Sequence, residues 1–405
     1  MFIINVIKDR GSLLVFHYIK MYQKTLHLCF KTFGIGIWFF YYLFKIPVKV
    51  AYIHFTLFLD DIFFRGYRKV KIEKPIFIIG HPRSATTFLH KTLKQTGDFL
   101  VFKDWEMENP SLIIKQLLKR HKILRVLFSV FDLRFTPHKF KSAIMREKDP
   151  IRNVEPIQAR KKNVDFIGQE EESLFLHVLD TQLLTVTIPL GFEKNGYPEI
   201  CFNDEQPHQE KSVLFFKNCL KRQIYYTGKK QVIAKLNFSL FRVKTLLKIF
   251  PDAKFVYIVR SPMHTIPSHL SLHRRLLDRY FGLNNIPKSR LQQYFKNRYQ
   301  YNVEFYKHFE ELKKDNVIPM DRLLEITYDD IQNDLLGVIR KIKHFGGLTF
   351  STELEERLKK QANQQSSYER KHKNLSLEQF GLTEERIRSD LDFVFKQYGF
   401  GDDVN

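Results

Sequence analysis

In the stretch PIFIIGHPRSATTFLH, residues 75–90, an apolar run ends in glycine, a polar run follows, and an apolar helical pattern resumes at Phe88. The short isoleucine-rich run IFIIG predicts a fully buried strand. A strand followed at once by a polar turn and a helix makes an anion site. N–H groups of the turn and of the helix N-terminus point at one spot, and the helix dipole favours negative charge there. Arg83 adds a permanent cation, and Ser84, Thr86 and Thr87 add hydroxyl donors. A nucleotide triphosphatase loop would end in Gly-Lys-Ser/Thr. Here Gly80 is followed by four residues and then Ala85-Thr86-Thr87, with no lysine to reach a β/γ-phosphate pair. ATP or GTP hydrolysis is therefore disfavoured, and a P-loop kinase is only a rival reading.

A second strand–helix junction lies far downstream, in FPDAKFVYIVRSPMHTIPSHLSL, residues 250–272. FVYIV reads as another buried strand, with Arg260 at its C-terminal end. Ser261 and Pro262 predict a helix start, a capping serine followed by proline in the first turn. Ser268 falls on the same helix face as Ser261. Arg260 and Ser268 can thus both face the crevice at the strand ends, where open α/β sheets bind ligands.

Together these stretches resemble the sulfotransferases that use 3′-phosphoadenosine-5′-phosphosulfate (PAPS). HPRSATT (81–87) is similar to their phosphosulfate loop, in the branch with the Arg-Ser-Gly-Thr-Thr form. The resemblance implies that His81, Pro82, Arg83, Ser84, Ala85, Thr86 and Thr87 line the 5′-phosphate of the donor. It implies that Arg260 and Ser268 bind its 3′-phosphate. Arg370 and Lys371, with Lys373, lie upstream of a C-terminal helix pattern and are candidates for the same phosphate. Ala85 stands where the family usually has Gly. Either this turn has a negative φ or it accepts strain, because Ala tolerates positive φ poorly. The resemblance covers roughly residues 74–400, with weaker matches at 231–255, 323–348 and 374–400. It implies PAPS as donor, no metal, and an α/β fold: a P-loop-like three-layer architecture with a central, mostly parallel sheet.

Sulfuryl transfer asks the protein for position and positive charge rather than covalent chemistry. Arg83 is the candidate cation for the charge that builds on the leaving oxygen, and it can stabilise but not protonate. An acceptor hydroxyl also needs a general base. Two acidic stretches offer one, KDWEMENP (103–110) through Glu106 and GQEEESLFLH (168–177) through Glu170, Glu171 or Glu172. Glu171 stands for the second group, and His81 is a further candidate. Like charges side by side could raise one of the three carboxyl pKa values into a useful range.

The chain has 405 residues, a 44% hydrophobic and 15% aromatic composition with 39 Phe, and a formal charge of +22. This excludes a disordered chain and points to an anionic partner. The excess of Lys and Arg concentrates in residues 1–73 and 113–148. No nucleic-acid-binding motif of recognisable type is present, so nucleic acid is not expected. Three widely spaced cysteines give no disulfide framework or zinc spacing, which fits a reducing compartment. Residues 1–73 form an aromatic, basic helical extension before the domain at 74–405. Its runs 32–44 and 50–59 are uncharged, bracketed by Lys31, Lys45 and Lys49, and divided by Pro47. Each is too short to span a bilayer. The expectation is an interfacial contact with a membrane surface through residues 26–60, on the cytoplasmic side, with accessory packing and a true span as alternatives. The function expected is sulfuryl transfer to a hydroxyl or amine of a small-molecule, lipid or carbohydrate acceptor. The rival from another class is a catalytically impaired nucleotide- or membrane-binding scaffold.

Overall fold

IFIIG forms the central strand its pattern requires. A computed structural model describes residues 2–94, 98–121, 170–194, 203–365 and 374–401. The first half of the chain runs α1 (Phe2–Phe33), α2 (Ile37–Phe63), β1 (Ile76–Gly80), α3 (Thr86–Leu93), α4 (Asp104–Glu108), α5 (Leu112–Arg120), α6 (Leu184–Thr187) and α7 (Gln209–Thr227). The second half runs β2 (Ile233–Lys235), α8 (Val243–Ile249), β3 (Lys254–Val259), α9 (Pro262–Phe281) and α10 (Lys288–Lys314). It continues with β4 (Leu323–Thr327), α11 (Tyr328–Asn333), α12 (Leu335–Gly346), α13 (Thr352–Gln365) and α14 (Glu384–Tyr398).

The strands pair in parallel in the order β2-β1-β3-β4. Alternation along each strand sorts its side chains onto two faces. Phe77, Ile79, Phe255 and Tyr257 join one core with residues of α7, α9 and α10. Ile76, Ile78, Val256 and Ile258 join another with residues of α3, α12 and α13. Sheets buried on both faces need helices on both sides, and the result is the three-layer α/β architecture expected. The first phosphate loop leaves β1 and the Arg260 junction leaves β3, so adjacent parallel strands bring the two motifs together. A Cβ on Gly80 would lie 2.6 Å from the Ile258 carbonyl oxygen, and its φ is +148°, so only glycine closes β1 against β3 here.

Helices α1 and α2 form a hairpin packed on the body. Met21, Leu28, Trp38, Tyr42 and Ile46 belong to the same core as β1 and β3. The expected division at Pro47 does not occur, and α2 runs through it. Proline deprives the Leu43 carbonyl of its helical partner, but the Tyr22 hydroxyl of α1 donates to that carbonyl at 3.0 Å. Residues 37–44 of the first apolar run and the whole of the second thereby lie in one helix, Ile37–Phe63, long and apolar enough to cross a membrane by length and composition. At the other end of the chain, Ile387, Leu391, Val394 and Phe395 form the buried stripe of α14 that their spacing predicts.

Candidate active site

The loop between β1 and α3 is tight and left-handed at two non-glycine positions, Arg83 with φ +83° and Ala85 with φ +66°. Ala85 therefore takes the strained alternative, at about 1–2 kcal/mol. The backbone turns through Ser84 N–H, which donates to the His81 carbonyl, and Leu89 N–H, which donates to that of Ala85. The first N–H groups of α3 have no partner within the helix and open toward the loop. The Ser84 Oγ is buried and has no hydrogen-bond partner among the described residues. A buried hydroxyl costs free energy unless something bonds it, and at this turn a phosphate oxygen would.

Side chains from three other elements hold the loop. Lys235, at the end of β2, donates through Nζ to Thr87 Oγ1 at 2.7 Å. Asn237 Nδ2 donates to Thr86 Oγ1 at 3.1 Å. Arg83 Nε donates to Ser268 Oγ at 3.0 Å. Arg260 Nη1 donates to the Arg83 carbonyl at 3.1 Å, and its guanidinium lies 3.8 Å from the Tyr328 ring centroid. Tyr306 donates to the Arg260 carbonyl, which fixes the β3–α9 junction. Ser261 occupies the N-cap of α9 but makes no side-chain cap bond; its carbonyl accepts from His264 and Thr265 instead. Three cations, Arg83, Lys235 and Arg260, thus surround one helix N-terminus. Lys235 and Asn237 add to the loop residues singled out in the sequence. The end of a buried strand marks Lys235; no pattern marks Asn237.

The three consecutive glutamates point three ways. Glu171 is buried, receives Lys94 Nζ and the Lys235 N–H, and lies 2.9 Å from His90 Nε2. Burial alone would raise its pKa, but His90 and Lys94 outweigh that and hold the carboxyl well below its usual range. Glu172 accepts from Ser239 and Thr181, and burial raises its pKa to about 7 despite Arg242. Glu170 is the one of the three whose carboxylate lies near the Lys235 ammonium that holds Thr87. Its Oε2 lies 3.8 Å from Lys235 Nζ, its side chain is 25% exposed, and Oε1 has no hydrogen-bond partner among the described residues. Burial raises its pKa, with Lys235 opposing. Glu106 is buried in a different network: its Oε2 caps α4 through the Lys103 N–H and accepts from Gln223 Nε2.

His81 lies beneath the loop. Its ring stacks on Tyr306 at 5.0 Å and meets His269 edge-on, and Nδ1 is 2.7 Å from the Pro82 carbonyl. Burial lowers its pKa to about 4, so it is a neutral wedge at pH 7. Pro82 is buried beside it. Arg370, Lys371 and Lys373 lie outside the described residues. The chain that follows them is anchored near the site, since Leu375 N–H donates to Ser271 Oγ, one turn of α9 beyond Ser268.

Comparison with known proteins bears on the family and the fold. The model of the Sulfotransferase family matches residues 75–352, from β1 to the start of α13. The omega-hydroxy-beta-dihydromenaquinone-9 sulfotransferase Stf3 of Mycobacterium bovis is 26% identical over 336 residues, covering 81% of this chain and 76% of the relative. The Mycobacterium tuberculosis protein of that name matches to the same extent. Among solved structures, sulfotransferase STF1 of Mycobacterium tuberculosis superposes with a TM-score of 0.63 at 16% identity, covering 94% of this chain and 93% of its own. Sulfotransferase STF9 of Mycobacterium avium gives 0.63 at 18% identity, covering 88% and 86%. These two share the fold. A match that begins at the strand before the phosphate loop and takes in Arg260, Ser268 and β4 covers most of the chain, which therefore belongs to the Sulfotransferase family and is an enzyme of sulfuryl transfer.

Proposed function

We propose that this enzyme moves a sulfuryl group from PAPS to a hydroxyl of a small-molecule acceptor of lipid or carbohydrate type, with Glu170 as general base. The observation that carries the donor assignment is the orphaned Ser84 Oγ at the N-terminus of α3, with Arg83, Lys235 and Arg260 gathered around the same turn. The loop fits a 5′-phosphate, and Arg260 with Ser268 fits a 3′-phosphate. Arg370 and Lys371 are proposed as further partners of that 3′-phosphate, in keeping with the anchoring of Leu375 beside it. When bound, the donor supplies an activated sulfur. The acceptor oxygen forms a bond to it as the bond from sulfur to the 5′-phosphate oxygen breaks, and the electron pair leaves on that phosphate.

The chain's own groups act around this exchange. Arg83 and Lys235 meet the negative charge that grows on the leaving phosphate. Glu170 takes the acceptor proton, and its raised pKa makes its carboxylate a better base than an exposed one. Neither Glu106 nor Glu171 suits that task, since one caps a helix and the other is locked between Lys94 and His90. The named acceptor of the mycobacterial relative is a hydroxylated menaquinone, which supports a lipid alcohol. Our reading puts the enzyme at the cytoplasmic side of a membrane, touching it through residues 26–60; Cys29 and Cys219, buried and free among the described residues, support a reducing compartment.

Radiolabelled PAPS offered to a lipid extract tests this. Wild-type protein should transfer label to an extractable product, and Glu170→Gln should lower the rate about a hundredfold or more. Undiminished transfer by Glu170→Gln would remove it as the base, and the absence of transfer to any lipid or sugar alcohol would end the acceptor proposal.

A further inference from the structure

Helix α2 turns one face to the body and leaves the other bare. Phe40, Phe44, Val48, Phe55, Phe58 and Ile62 are each 45–65% exposed. They recur at helical spacing and, with Ile37, make one apolar stripe along the whole helix, about 40 Å at 1.5 Å per residue. Exposed apolar area of this extent marks an interaction surface. The opposite face is fixed. Tyr42 donates to the Thr187 carbonyl, and Asp60 accepts from Arg222, Ser111 and the Leu112 N–H. The helix cannot leave the body to be ringed by lipid, so its outer stripe alone is available.

Charge selects the occupant. Between residues 13 and 71 the acidic residues are Asp60 and Asp61. Asp60 is buried, and Asp61 is engaged by Tyr67 and Arg68. The same segment carries Lys20, Lys31, Arg65 and Lys69 exposed to solvent. A second copy of this face would set cations against cations. An anionic bilayer would receive the phenylalanines in its interface and the Lys and Arg heads among its phosphates.

We infer that the α1–α2 hairpin lies flat on one leaflet of an anionic membrane, with the outer stripe of α2 sunk into the interface rather than spanning it. This rests on the peripheral placement proposed above and is independent of the transfer chemistry. The hairpin is tied to the stretch that follows Glu170, through His17 Nε2 and the Leu179 carbonyl, 2.9 Å apart, and through Tyr42 and Thr187. A bilayer beneath α2 is thereby held in a fixed relation to the proposed base, as an enzyme acting on a membrane-borne alcohol requires.

Flotation of the full chain with vesicles is the test, without donor or acceptor. Vesicles containing phosphatidylglycerol should carry about tenfold more protein than phosphatidylcholine alone. The variant Phe40→Ser/Phe44→Ser/Phe55→Ser/Phe58→Ser should lose about tenfold in bound fraction with unchanged near-ultraviolet circular dichroism. Phe44→Trp, which leaves the face apolar, should shift its emission to the blue on anionic vesicles. Wild-type-like flotation of the serine variant, or no shift of the tryptophan, overturns the face and leaves peripheral placement standing. Failure of wild-type protein to float on either vesicle, with dimerisation that the serine variant loses, overturns both. Transfer to a water-soluble alcohol, measured on the same samples, reads the donor chemistry separately.

Discussion

Arg83 and Ser268, 185 positions apart in sequence, are joined by one hydrogen bond from Nε to Oγ at 3.0 Å. The bond links the loop after β1 to the helix after β3, and Arg260 reinforces it by donating to the Arg83 carbonyl. Two strand ends side by side are thus joined into the one site proposed for the donor's phosphates. A hydrogen bond to a charged group is worth about 1.5–3 kcal/mol. Ser268→Ala should therefore raise the KM for the donor about tenfold or more and leave kcat within about threefold. Steady-state kinetics at saturating acceptor measures the split. An unchanged KM would remove Ser268 from the donor site.

Ala85 sits at φ +66° where a Cβ is unwelcome. The left-handed conformation costs a non-glycine residue about 1–2 kcal/mol, and glycine gives back about 0.5–1 kcal/mol in unfolded-state entropy. Ala85→Gly should thus stabilise the protein by about 0.5–1 kcal/mol, and Ala85→Val should destabilise it, since a β-branched side chain fits this region worse still. Thermal unfolding without ligand gives both signs. A lower Tm for Ala85→Gly would mean that the alanine methyl contributes packing larger than the strain.

Glu170 and Glu171 are neighbours with opposite expected phenotypes. Burial raises the pKa of Glu170, and in the proposed mechanism its carboxylate form is the base. Activity should accordingly rise with pH through a midpoint above the ordinary carboxylate value. Glu170→Gln should abolish that limb, reduce kcat about 10²–10⁴-fold, and leave Tm almost unchanged. A pH–rate profile that keeps its acid limb in this variant would assign the limb to another group.

Glu171→Gln should act on stability instead. It leaves Lys94 buried without its counter-charge, a change that costs about 3–5 kcal/mol. The folded-state pKa of Glu171 is depressed, so its contribution is complete above the unfolded-state value and is lost as pH falls toward the folded one. Wild-type protein should lose stability on acidification more steeply than Glu171→Gln does. Parallel pH–stability curves for the two would show that the pair contributes nothing.

Both strand–turn–helix junctions were legible because strand, turn and helix signals coincide within a few residues at each. The alternating strand residues and the α14 stripe were legible for the same reason, since local periodicity and burial agree. Pro47 misled because its cost is removed by Tyr22, a residue on another helix that no local pattern connects to Leu43. The direction of each glutamate was also hidden. Adjacent residues of one type carry no orientation, and only the packing of Lys94, Lys235 and Arg242 from distant segments separates Glu170, Glu171 and Glu172. Glu106 is similar, because its partner Gln223 comes from α7.

The central claim is that the β1 loop and the β3 junction form one site for a nucleotide phosphorylated at both ends. Titration calorimetry of 3′-phosphoadenosine-5′-phosphate against adenosine-5′-phosphate tests it most directly. Wild-type protein should bind the doubly phosphorylated nucleotide about a hundredfold more tightly, about 2.8 kcal/mol of discrimination at about 1.4 kcal/mol per factor of ten. Arg260→Ala should reduce the difference to about threefold or less. Equal affinity of the wild-type protein for the two nucleotides would contradict the account.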